Sequence, residues 1–181
     1  MNAFKNRTLP ASEIFDMELL ARYFAITDIF NANHGLVWHN LRYYYNPITR
    51  KLEPIGFDGF TESGPFKLYS KLFFGEFKSS EDQNEWNAFY KFIFRDPDFI
   101  KYYVPALNEY SKDKFINELI EDHRIEINDL QLYIKKYASA KYTFSRDELL
   151  KRARMIQRNI QPFNENSIKV FREKDINGNI I

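Results

Sequence analysis

The 181-residue sequence has no cysteine, which excludes disulfides, thiol nucleophiles and thiolate metal sites from this chain. It also lacks charge of one sign: 26 Lys and Arg face 25 Asp and Glu, for a net charge of +1. A dedicated nucleic-acid binder carries a clear basic excess, so no nucleic-acid partner is expected. No apolar run reaches the roughly 20 residues that a membrane-spanning helix needs, so no transmembrane segment is expected. Met1 to Pro10 is polar and has no apolar centre of the kind that marks a signal peptide. Internal repeats and low-complexity stretches are missing too.

Aromatic residues are abundant. With 18 Phe and 12 Tyr in a chain that is 44% hydrophobic, one globular domain with a core built on rings is expected. Asp16 reads as a helix N-cap, followed by a stripe at Met17, Leu20, Phe24, Thr27 and Phe30 that Tyr23 and Ile26 widen. Glu18 and Arg22 stand one turn apart in the favourable order, and the helix should end near Asn31 to Asn33.

Two strand-like runs follow, Val37 to Tyr45 and Leu52 to Phe57, joined by the turn sequence from Asn46 and Pro47 to Lys51. This predicts a β-hairpin, then a loop through Gly59, Ser63, Gly64 and Pro65. Ser80 can cap a helix carrying Trp86, Phe89, Tyr90 and Ile93, and Asp96-Pro97 opens another. Behind Ser111 the spacing of Ile116, Ile120, His123, Ile127, Leu130, Ile134 and Tyr137 predicts one long helix with a narrow packing seam. Ser145 and Glu148 form a capping box for a last helix, apolar at Leu149, Ala153, Ile156 and Ile160. The fold class is therefore mainly α with a small β-hairpin (α+β), as a domain over 1–163. In the tail, 164–181, Ile168 and Val170 alternate with polar residues and Asn177-Gly178 signals a turn, which suggests the start of a β-rich module.

The candidate chemistry lies between His34 and Asp58. A hairpin brings its two ends together, so Asn40 at its entry and Asp58 at its exit can converge. An amide oxygen and a carboxylate are hard ligands that suit magnesium. Kinases repeat this layout: a catalytic loop ending in Asn, a short hairpin, then a metal-binding Asp.

The run Ser12 to Asp16, then Arg22 to Ile26, then His39-Asn40 with Tyr43 to Tyr45, then Glu53 to Asp58, resembles the spore-coat CotH kinase family. The resemblance covers residues 12 to 60 and extends weakly to Phe163. It implies the C-terminal lobe of an atypical protein kinase that phosphorylates serine of a protein substrate with ATP and magnesium. It further implies a bacterial envelope, extracellular or spore-coat location, with a coat or surface protein as partner. Asn40 and Asp58 match the family's metal-binding positions. Two positions depart from its pattern. The acidic base expected shortly before Asn40 is replaced by Asn33-His34-Gly35, and Gly56 stands where many members have a second Asp. His34, with an unperturbed pKa of about 6.5, is then the candidate catalytic base. No glycine-rich loop precedes residue 12, so the nucleotide-holding N-lobe is expected in a longer parent protein. The alternative is a catalytically inactive pseudokinase or a helical interaction module.

Plainer readings stand beside these. Asp58 can be a turn residue, Asn40 a loop side chain bonded to backbone, and His34 and His39 structural. His34, His39 and Asp58 could together suggest a metal hydrolase, although their spacing does not place two ligands on one helix face. His123 reads as a core or boundary residue, and Asp96 with Asp98 as a helix start. Lys151, Arg152, Arg154 and Arg158 read as a solvated basic face or a site for an acidic partner. Asp175, Asn177 and Asn179 imitate the opening of a calcium loop without its glycine and terminal Glu.

Overall fold

The computed structural model describes residues 9–59, 84–138 and 143–164. It is mainly α with one two-stranded antiparallel hairpin, as the periodicities predict. In chain order the elements are α1 (Ala11–Ile14), α2 (Met17–Phe30), two 3₁₀ turns (Asn33–Leu36 and Trp38–Asn40), β1 (Arg42–Asn46) and β2 (Lys51–Ile55). They continue with α3 (Asn84–Phe94), α4 (Pro97–Tyr110), α5 (Asp113–Asp122), α6 (Arg124–Tyr137) and α7 (Arg146–Asn164).

The helix starts are set by side chains that take up orphan amides. Asp16 accepts from the Leu19 amide at 3.0 Å and opens α2. Asp96 opens α4 with Pro97 behind it and accepts from Asp98 N at 3.1 Å and from Ser12 N at 2.8 Å, which also ties α1 to α4. The Ser145 hydroxyl accepts from Glu148 N at 3.2 Å at the head of α7. Asn31, left-handed at φ 55°, ends α2 where the sequence predicts. Glu18 and Arg22 form the expected one-turn ion pair at 2.5 Å.

Helix α2 lies at the centre, packed on α4, with α7 against both. The core is built on rings. Phe24 meets Tyr90, Phe94 and Phe99 at centroid distances of 5.8, 6.2 and 5.4 Å, and Phe99 stacks on Tyr103 at 5.1 Å. Leu149, Ala153, Ile156 and Ile160 are buried, as the last helix's stripe requires.

The hairpin pairs Arg42 with Ile55 and Asn46 with Lys51. Its turn is held by the Asn46 carboxamide oxygen, which accepts from Ile48 N at 2.9 Å and Thr49 N at 3.3 Å. Its inner face sits on Phe15, whose ring is 5.2 Å from that of Tyr43, while the Asp16 amide donates to Leu52 O at 2.9 Å. The first strand is shorter than expected. Residues Val37 to Leu41 are not strand, because Asn40 N and Leu41 N both turn back to Val37 O, at 2.7 and 3.1 Å.

The long helix expected behind Ser111 is two helices. His123, at φ −103° and ψ 15°, interrupts it, and α6 leaves the core. Ile116 is buried, but α6 buries none of its residues: Leu130 is 62% and Tyr137 63% exposed. The seam thus packs only over its first turns. His123 is itself exposed, with Nδ1 2.7 Å from Glu126, rather than a core residue. Replacing Leu130 by Gln should accordingly change the unfolding free energy by no more than about 0.5 kcal/mol. Urea titration checks this, and a larger loss would mean that the face is covered.

The basic stretch of α7 is also not uniformly solvated. Lys151 and Arg158 are exposed, and Arg154 grips Asp113 of α5 at 2.6 Å, but Arg152 is only 2% exposed. The loop through Ser63 to Pro65, the cap at Ser80 and the tail motifs at Asp175 and Asn177-Gly178 lie outside the described residues.

Candidate functional site

The site forms where the 3₁₀ segment 33–40 meets the chain leaving β2. Close contact between them depends on Gly35. A Cβ there would lie 3.0 Å from Phe57 O, 3.0 Å from the Tyr23 hydroxyl and 3.2 Å from the Gly59 Cα, close enough that these neighbours would have to give by a few tenths of an ångström. From α2, the Tyr23 hydroxyl donates to Gly35 O at 3.2 Å, and the Tyr90 hydroxyl of α3 donates to Leu36 O. On the other side Asp58 is left-handed at φ 50°, a conformation that Asp tolerates better than most residues and that directs its carboxylate back toward the loop.

The three candidate residues meet. Asn40, 4% exposed, donates from Nδ2 to His34 O at 2.9 Å and to Asp58 Oδ2 at 3.1 Å. The His34 Nε2 lies 3.3 Å from the same Asp58 oxygen, with the two side chains 28% and 43% exposed. Because a carbonyl oxygen only accepts, the bond to His34 O fixes which end of the Asn40 amide faces it, and Nδ2 serves both partners. Asp58 borders an open groove of about 340 Å³ lined by Tyr23, Ile26, Phe30, Ala32 and Phe57.

The surrounding hydroxyls stay protonated. Burial raises Tyr23, with the Phe57 backbone amide bonded to it acting in the opposite direction. Burial also raises Tyr43 and Tyr90, and the Tyr43 hydroxyl has no hydrogen-bond partner among the described residues.

His39 does not enter the corner. Its side chain is exposed, and its ring stands edge-on to His34 with centroids 6.1 Å apart. Among the described residues no three His, Cys, Asp or Glu side chains are grouped to hold a metal, so the hydrolase arrangement of His34, His39 and Asp58 is not formed. The Asp96 carboxylate is occupied as a helix cap, and Asp98 stands in the first turn behind it. Arg42 was not a candidate in the sequence. It donates to His39 O at 2.7 Å and Leu41 O at 3.0 Å and lies 4.7 Å over the Phe57 ring, clasping both arms of the corner.

A magnesium ion fits this donor set in part. The half-exposed Asp58 carboxylate is the hard oxygen ligand it prefers. Asn40 offers its N–H side to Asp58 and so braces the carboxylate; coordinating through its own oxygen would require releasing His34 O. Comparison with known proteins finds no matching family model, no similar curated protein and no similar solved structure.

A second polar group lies in the core. Asp28 on α2 accepts from the Tyr103 hydroxyl of α4, and Arg152 Nε of α7 donates to Asp28 O at 2.5 Å. Burial pushes Asp28 up to about 7, against the Tyr103 bond and the Arg152 charge, and burial pushes Arg152 down to about 10.

Proposed function

We propose that the His34–Asn40–Asp58 corner belongs to a CotH-like phosphotransfer centre that moves the γ-phosphate of ATP to a serine of a protein substrate. The observation that supports this most is the meeting of Asn40 and Asp58, 18 residues apart in the chain, at 3.1 Å across the mouth of the hairpin. The resemblance calls for these two positions to converge, although Asn40 here turns its N–H side and not its oxygen to Asp58.

In this reading Asp58 holds magnesium, and Asn40 keeps the Asp58 carboxylate aimed. Magnesium bound there supplies neutralisation of the charge that builds on the phosphate oxygens. His34 stands beside Asp58, oriented by it, and accepts the serine proton as the serine oxygen bonds to phosphorus and the bond to the ADP oxygen breaks. The lobe that holds the nucleotide is assigned to a longer parent protein.

The test is transfer of labelled γ-phosphate to protein by that parent, with magnesium and after chelation. Transfer that needs magnesium supports the reading, and a folded protein that neither binds ATP nor transfers phosphate overturns it. One observation favours a different class, a helical interaction module. Ile125, Leu132 and Tyr133 of α6 are 68%, 67% and 63% exposed, as a partner-binding helix would present them.

A further inference from the structure

We propose that Tyr23 is a positioning residue for this site: its hydroxyl joins the loop that carries His34 to the segment that carries Asp58. The inference deepens the phosphotransfer reading and rests on it for its functional consequence. The geometry itself holds whatever the site does.

Three observations meet at that one oxygen. It donates to the carbonyl of Gly35, the residue after His34, at 3.2 Å. The Phe57 backbone, one residue before Asp58, acts on the same oxygen and lowers its pKa against the rise from burial. That oxygen also lies 3.0 Å from where a Gly35 side chain would begin, and Phe57 O lies 3.0 Å from the same point, so the glycine exists to let all three approach. A tyrosine hydroxyl has one proton to donate, and here it goes to the arm that carries His34, while the Phe57 carbonyl closes on the same glycine from the arm that carries Asp58.

The anchor is rigid. Tyr23 lies in the middle of α2, the helix at the centre of the core, and its ring meets Phe24 edge-on at 6.4 Å. The Thr27 hydroxyl donates to Tyr23 O at 2.6 Å one turn on. Burial keeps the phenol protonated and therefore a donor. What it holds needs holding. Asp58, at φ 50°, occupies a region that side-chain-bearing residues adopt reluctantly, and such a conformation persists when neighbouring contacts fix it. Holding Gly35 against the Phe57 carbonyl from the helix sets how the chain presents Asp58, as groups behind a ligand set its aim in metal sites generally.

The experiment uses Tyr23→Phe, which removes the oxygen and keeps the ring, in the full chain without metal. NMR should show the His34 ring and Asp58 amide signals displaced, with faster hydrogen exchange at Asp58, while those of Ala153 and Ile160 in the α7 core stay in place. Manganese affinity, read by paramagnetic relaxation, should weaken about tenfold in Tyr23→Phe. It should not weaken further when Tyr23→Phe is added to Asp58→Asn, because Tyr23 acts through Asp58. Unchanged His34 and Asp58 signals in a folded Tyr23→Phe protein would overturn the proposal, and so would an equal loss of affinity in both backgrounds. If the wild type takes up no manganese, the phosphotransfer reading fails, and the spectral comparison still decides the role of Tyr23. If Tyr23→Phe does not fold, Gly35→Ala presses on the same oxygen from the other side, and the same two signals decide.

Discussion

Replacing Asp58 should reduce magnesium-dependent phosphoryl transfer by at least about 100-fold, because the metal's charge stabilisation amounts to several kcal/mol and Asp58 is, among the described residues, the carboxylate in the corner. The choice of variant matters. At φ 50° an alanine is strained, whereas asparagine accepts that conformation and keeps the shape, so Asp58→Asn removes the charge without disturbing the turn. Asn40→Ala should behave differently. Asn40 points N–H groups at Asp58 Oδ2 and His34 O, so its loss frees the carboxylate without deleting it. A drop of about 10- to 100-fold is expected, as for other residues that brace a ligand. Stability should fall by about 1 kcal/mol as the His34 carbonyl loses its donor. Initial rates at saturating ATP and magnesium, normalised to the folded fraction by circular dichroism, separate the two. An Asp58→Asn protein that keeps half the wild-type rate would remove Asp58 from the mechanism.

The sequence was most informative where one local rule acted alone. Asp16, Asp96 with Pro97, and Ser145 mark helix starts because a short polar side chain there satisfies free amides, a need that no tertiary contact alters. The turn at Asn46 is legible for the same reason. The convergence of Asn40 with Asp58 followed from the hairpin, since two antiparallel strands of equal length return the chain to its start. The 3₁₀ turns at 33–40 were hidden because Val37 and Trp38 are too short an apolar run to distinguish a strand from a coil. The break at His123 was hidden because the three-four spacing continues across it: a heptad pattern records which residues share a face, not whether the axis bends.

Arg152 and Asp28 did leave a signal. Arg152 falls three residues after Leu149 and four before Ile156, on the apolar stripe of α7, and Asp28 falls four after Phe24 on that of α2. A charge on a core stripe at each of two helices that pack together indicates a buried pair. The conventional reading of a basic run as solvated concealed it. Roles that depend on a backbone approach, such as those of Gly35 and the Tyr23 hydroxyl, have no periodic signature at all.

That buried pair sets the second large effect. Stability should decline as pH rises from about 4 to about 7, by on the order of 3–4 kcal/mol. The direction follows from Asp28. In the folded chain burial raises its pKa from 3.8 to about 7, so the folded state holds a proton that the unfolded state has already released. A raised carboxyl contributes stability that is fully present below the unfolded value and is lost as pH climbs through the folded one. Arg152, pushed down only to about 10, stays charged across that interval and adds no slope of its own. Asp113 works in the opposite sense: the bond from Arg154 lowers it, so its contribution is lost as acid approaches the ordinary carboxyl range, and maximal stability should lie near pH 4 to 5. Asp28→Asn keeps an oxygen to accept from the Tyr103 hydroxyl and imitates the protonated acid at every pH. The variant should therefore lose the slope and exceed the wild type in stability at pH 8. Urea unfolding from pH 4.5 to 8 measures both, and a slope that persists unchanged in Asp28→Asn would assign it to another group.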